Sequence, residues 1–127
     1  MKIVRKIKPE IKEKRGDITK LLDDGKSKIK SILLITSKAG SVRSNHYHRK
    51  DAHWIYILSG KMGYYEKPVK GNRIKKAILG PGDMVYTPPL MIHTTKFPRD
   101  TVFMAFSIRS RNQKNYEQDT VRVEALA

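Results

Sequence analysis

Glycine and proline punctuate this chain at short intervals, at Gly25, Gly40, Gly60, Gly71, Gly80, Pro88 and Pro98, and between them lie runs rich in β-branched and aromatic residues. That spacing constrains the fold more than any other feature. A chain broken this often cannot sustain long helices, but it suits short strands joined by turns. The runs predict strands over Ile29 to Thr36, His53 to Leu58, Met62 to Glu66, Ile74 to Leu79, Met84 to Thr87 and Thr101 to Ile108. Regular short strands with such punctuation read as an all-β sandwich or barrel. No convincing amphipathic helix is visible, and the polar stretch Arg109 to Gln118 reads as a turn, a loop or one short helix.

At 127 residues and 39% hydrophobic, the chain suffices for one core and is read as a single domain without repeats. The absence of cysteine excludes a disulfide framework, a thiolate metal site and a cysteine nucleophile. No apolar run approaches the ~18 residues of a membrane span, and Met1 to Lys8 lacks the apolar stretch of a secretory signal. The expectation is therefore a cytoplasmic protein with no membrane partner. Net charge is +15, which favours anionic partners. Specific nucleic-acid binding is not expected: no zinc-finger spacing, aromatic RNA-binding motif or recognition helix accompanies the charge.

The chain has four histidines, and three of them, His46, His48 and His53, lie within eight residues. On a strand, His46 and His48 point to one face because side chains alternate with period two. Two imidazoles on one face and a third on the next strand can converge on one ion, and neutral imidazole suits zinc, manganese, iron, nickel and copper. If His53 faces a barrel interior, so do Ile55 and Ile57, leaving Trp54, Tyr56 and Leu58 outside. Three large outward residues favour cover by the N-terminal segment or by a second subunit, so a homodimer is expected. Tyr47, Tyr56, Tyr64, Tyr65 and Tyr86 are further candidates to line a cavity. Arg43 is a candidate to meet a carboxylate or phosphate, although a surface arginine is the simpler reading. Asp83, beside Gly82, reads as a turn former rather than a base.

Residues 40–60 run from Gly40 through five residues to His46, then Tyr47, His48, four residues, His53, six residues and Gly60. This resembles the first motif of the cupin superfamily at every interval, with His53 where that family usually has glutamate. Residues 80–93, with Gly82-Asp83, Pro88-Pro89 and His93, resemble the second motif, although Phe97 stands where asparagine is often found. The resemblance implies an all-β jelly-roll barrel, drawn at about residues 27–108, with N-terminal strands 1–26 and a tail 109–127 packed outside it. It also implies one divalent transition metal held by His46, His48, His53 and His93.

Fold alone does not name a reaction. The main expectation is a metal-binding cupin acting on a small anionic substrate, a sugar nucleotide or organic acid, by isomerase, epimerase or dioxygenase chemistry. An alternative comes from a second resemblance. Arg15-Gly16-Asp17, the Ile29–Thr36 strand, Gly40 to His48 and the C-terminal Tyr116 to Asp119 resemble small cupins of nucleotide-sugar metabolism, including dTDP-sugar 3,4-ketoisomerases and the cupin domain of capsular-polysaccharide reductases. That likeness implies a metal-free site in which His46 or His48 is the acid/base, as imidazole chemistry near neutrality allows. A non-catalytic small-molecule binding module is the remaining alternative.

Overall fold

A computed structural model describes residues 1–127, and the chain is almost entirely β. The strands are β1 (Lys2–Val4), β2 (Ile11–Glu13), β3 (Gly16–Ile18), β4 (Ser31–Ser37), β5 (Val42–His48) and β6 (His53–Ser59). They continue as β7 (Met62–Pro68), β8 (Lys75–Leu79), β9 (Met84–Thr87), β10 (Met91–Lys96), β11 (Thr101–Ser107) and β12 (Thr120–Arg122). One helix, α1 (Gln113–Asp119), precedes β12, and the Asn112 side chain caps it by accepting from the Lys114 and Asn115 amides. Two five-stranded antiparallel sheets, ordered β1-β9-β6-β11-β4 and β12-β5-β10-β7-β8, form the barrel, and β2-β3 is a separate hairpin. No helix is long and apolar enough to cross a membrane.

The apolar strand runs fall where their composition placed them. Met84 to Thr87 is a strand over those same residues, and the others differ by a residue or two at their ends. Past residue 27, three strands have no expected run of their own, β5, β10 and the short β12. In β5 the residues Ser44 and Asn45 adopt positive φ, at 73° and 57°, which interrupts alternation just before the histidine pair. In β10 the inward residues include His93 and Thr95, so polarity masks a fully buried strand.

The barrel also extends beyond the boundary expected at residues 27–108. Strand β1 pairs with β9, placing Ile3 against the core, and β12 pairs with β5, Thr120 opposite His48 and Arg122 opposite His46. The tail is thus an edge strand of the sheet carrying the histidines. Thr94 Oγ1 fastens it further, accepting from the Leu126 amide.

One end of the barrel is filled. Ile57, Met62, Tyr64, Leu79, Val85 and Phe97 are essentially inaccessible there, and Phe97 stacks on Phe103 with ring centroids 5.6 Å apart. Phe97, at the position where the family often has asparagine, is therefore a core residue. Gly60 closes the β6–β7 turn at φ +95°, where a Cβ would collide with the Asp100 carbonyl and Thr101. Asp83 is a turn former: its carboxylate accepts from the Gly80 and Lys6 amides and from Arg5. Burial disfavours its charge, but these bonds outweigh that and hold its pKa below the usual carboxylate range.

Candidate functional site

The other end of the barrel is a cavity of about 140 Å³, with the four histidines on its wall. His46 and His93 face each other directly across the β5–β10 ladder, and the register shifts just beyond, between His93 and Thr94. His48 follows two residues along β5, so it shares their face. His53 comes from β6 in the opposite sheet, with Ile55 and Ile57 buried on its side. Ring centroids of His46 lie 4.7 Å from both His48 and His93, and His53 lies 5.1 Å from His93 and 5.8 Å from His48. All four expected site histidines line this one cavity. Leu33, Ile35, Ile55, Phe103 and Ala105 form the apolar part of the wall, Ser44, Asp51, Thr95 and Ser107 add polar groups, and Arg43 and Arg111 supply its cations.

Charge is suppressed throughout the cluster. Burial, followed by the neighbouring His93 and His48, pushes the His46 pKa down to about 2. Burial holds His53 well below its ordinary value, and it brings His93 to about 4 against the opposing bond from the Met91 carbonyl. His48 is also lowered by burial, but Asp119 pulls it back upward. At neutral pH the cavity thus presents uncharged imidazoles with available lone pairs. His93 Nδ1 lies 3.0 Å from the Met91 carbonyl, so that nitrogen carries the proton and Nε2 is the free base. His48 Nδ1 lies 3.2 Å from Thr120 Oγ1 and 3.9 Å from the Asp119 carboxylate.

The nitrogens of His46, His48 and His93 all lie within 4.8 Å of one another, and the same holds for ligand atoms of His48, Asp51 and His53. Nitrogens of a tetrahedral zinc ion stand about 3.4 Å apart, given Zn–N bonds of about 2.1 Å, so the groups would draw together around an ion. Neutral imidazoles are the protonation state that ligation requires. The donor set therefore fits a divalent transition metal.

Asp51 carried no sequence signal of its own, and Tyr116 and Asp119 entered only through the resemblance of the C-terminal segment, with no role attached. Asp119 is buried at the end of α1 and accepts from the Lys50 and Asp51 amides. Asp51 is buried beside it, with Oδ1 unpartnered, and burial raises its pKa to about 6. Tyr116, rather than any of the five tyrosines singled out above, stands near the cluster, its ring 5.5 Å from His48 and stacked under Arg111 at 3.7 Å. Tyr64 instead belongs to the core, where its hydroxyl meets Thr87 Oγ1 at 2.7 Å. Arg43 does reach the cavity, while donating to Ser37 Oγ and the Thr36 carbonyl. Only folding brings α1 against β5, so the spacing of Asp51 and Asp119 in the chain was uninformative.

An antiparallel β-barrel with a histidine-lined end and a filled end defines the class, and the family model described as "Cupin domain" matches residues 33–109. The chain belongs to the cupin family. Its fold resembles a 3,4-ketoisomerase from Helicobacter canadensis, with a TM-score of 0.78 and 19% identity over 95% of this chain and 89% of that one. The QdtA sugar 3,4-ketoisomerase from Thermoanaerobacterium thermosaccharolyticum, solved in complex with TDP, gives 0.72 and 22% over 94% and 87%. The capsular polysaccharide assembling protein CapF from Staphylococcus aureus gives 0.67 and 20% over 74% of this chain, which spans only 26% of CapF. At these identities the likeness is one of fold. A search of curated proteins finds no significant match.

Proposed function

We propose that the protein is a sugar-nucleotide isomerase of the ketoisomerase type, in which His48 transfers a proton at a carbon beside the sugar carbonyl. The observation that carries this reading is the environment of His48: a neutral, buried imidazole on the cavity wall, with its Nδ1 side against Thr120 and the buried Asp119. His48 is a better base than His46, because the Asp119 carboxylate favours the imidazolium formed when it accepts a proton, whereas His46 is held near 2. Removal of the proton leaves an enediolate, the hydroxyl proton on the carbon that lost it passes to the former carbonyl oxygen, and His48 delivers a proton to the neighbouring carbon, so the ketone moves without net loss of atoms or electrons. Arg43 and Arg111 suit an anion. A cavity of about 140 Å³ is smaller than the ~300 Å³ at which small-molecule pockets usually begin, so the sugar enters and the nucleotide stays at the mouth. The TDP held by QdtA supports this substrate class.

A second reading is favoured by the convergence of His46, His48 and His93, whose donor atoms suit one divalent ion. His53 stands outside that group and shares a second one with His48 and Asp51. An ion held there would polarise an oxygen of a bound anionic substrate. Turnover of TDP-4-keto-6-deoxyglucose before and after chelator treatment, with elemental analysis of untagged protein, separates the two. The isomerase reading expects turnover that survives chelation and is lost in His48→Asn. Stoichiometric metal together with turnover abolished by chelation would replace it with the second reading.

A further inference from the structure

We propose that Asp51 is a metal ligand, completing with His48 and His53 a two-histidine, one-carboxylate position beside the three-histidine group. This rests on the second reading of the cavity, and it goes beyond the four-histidine set. In the first cupin motif, His53 stands where a glutamate usually supplies the negative charge. Asp51, two residues earlier, returns a carboxylate to the same wall. The residue is only 7% exposed, and it lines the cavity. Its Oδ1 has no hydrogen-bond partner, and its carboxylate lies within 4.8 Å of the ligand nitrogens of both His48 and His53.

A buried carboxylate oxygen without a partner is costly, and such orphans occur where a ligand or ion supplies the missing partner. Asp51 does not serve as a structural clamp. That work falls to Asp119, which accepts the Lys50 and Asp51 amides. Nor do the arginines satisfy it: no salt bridge joins Asp51 to any cation. The Ala52 and Ile108 amides and the charge of Arg109 act on this carboxylate, yet Oδ1 is left without a partner, and the imidazoles of His48 and His53 beside it offer lone pairs rather than charge. A divalent ion between the three groups satisfies all of them, and it takes the arrangement of two histidines and one carboxylate that suits iron(II) and manganese.

The donor chemistry sets the test. Carboxylate oxygen matters more to manganese, while imidazole dominates for nickel. Metal-stripped wild type, Asp51→Asn and Asp51→Glu are titrated with Mn2+ alone and with Ni2+ alone by calorimetry, alongside thermal unfolding of each. Expected are at least tenfold weaker Mn2+ binding in Asp51→Asn, a smaller loss for Ni2+, and partial recovery of Mn2+ binding in Asp51→Glu. The stripped Asp51→Asn protein should unfold no lower than wild type, because its unpaired charge is gone. Equal Mn2+ affinity in wild type and Asp51→Asn overturns the proposal while leaving a histidine metal site standing. Wild type that binds neither ion overturns the metal reading itself, and the role of Asp51 with it.

Discussion

Replacing Asp119 with alanine should destabilise the fold by an amount that its hydrogen bonds set. The carboxylate accepts from the Lys50 amide at 2.8 Å and from the Asp51 amide at 2.9 Å, holding the turn between β5 and β6. An unsatisfied buried donor costs about 1–3 kcal/mol. The Asp51 amide is in the buried part of this network and belongs at the upper end. The Lys50 amide is only partly buried, so water recovers some of its loss. Repulsion between Asp119 and Asp51 is relieved at the same time. The net loss is about 2–4 kcal/mol, and for a domain of this length each kcal/mol lowers Tm by about 4 °C. Thermal unfolding followed by circular dichroism should therefore show a drop of about 8–16 °C in Asp119→Ala. Asp119→Asn, which keeps one acceptor, should lose about half as much. A drop below about 3 °C in Asp119→Ala would refute the assignment of Asp119 as the clamp of this turn.

In the metal-free protein, His93 binds its proton less readily folded, at about 4, than unfolded, near 6.5. The unfolded state therefore takes up more protons as pH falls from about 6.5 to 4, and stability falls with it, by up to ~3 kcal/mol from this group. His93→Gln should flatten the fall in Tm over that range, and an unchanged slope would count against the burial argument. Gly60→Ala should lower Tm by several degrees, because the residue sits at φ +95° against the Asp100 carbonyl; Tm equal to wild type would show that this turn yields. Along the outer face of β4, Ile32 is 61% exposed and Leu34 68%, in the sheet that also carries Trp54 and Tyr56. Sedimentation at micromolar concentration should find a dimer that Leu34→Glu converts to monomer, and a wild-type monomer would remove the dimer expectation.

The fold was legible because its constraints are local. Turn residues and β-branched runs mark where strands stop and start, and the spacing of His46 and His48 puts both on one face of a strand, with His53 on the strand that follows. His93 was reachable only through the resemblance of residues 80–93 to the second cupin motif. The parts that were not legible depend on pairing across long separations. Thr120 meets His48 only after β12 is laid on β5, and Asp119 meets the Asp51 amide only after α1 closes over that turn. Asp51 itself reads as an ordinary loop acid, since nothing in the residues beside it signals that its carboxylate is buried without a partner. Strand β10 lacked a signature because barrel interiors that carry chemistry are polar, which erases the alternation that reveals a half-buried strand.

The most direct measurement follows the sugar itself. Chelator-treated protein is incubated with TDP-4-keto-6-deoxyglucose in D2O, and the ring protons are followed by NMR. Proton transfer by His48 predicts a new ketose isomer of the same sugar nucleotide, with deuterium entering at a ring carbon next to the carbonyl, and neither change in His48→Asn. A sugar that stays unchanged and unlabelled with wild type, or one converted equally well by His48→Asn, would contradict the account.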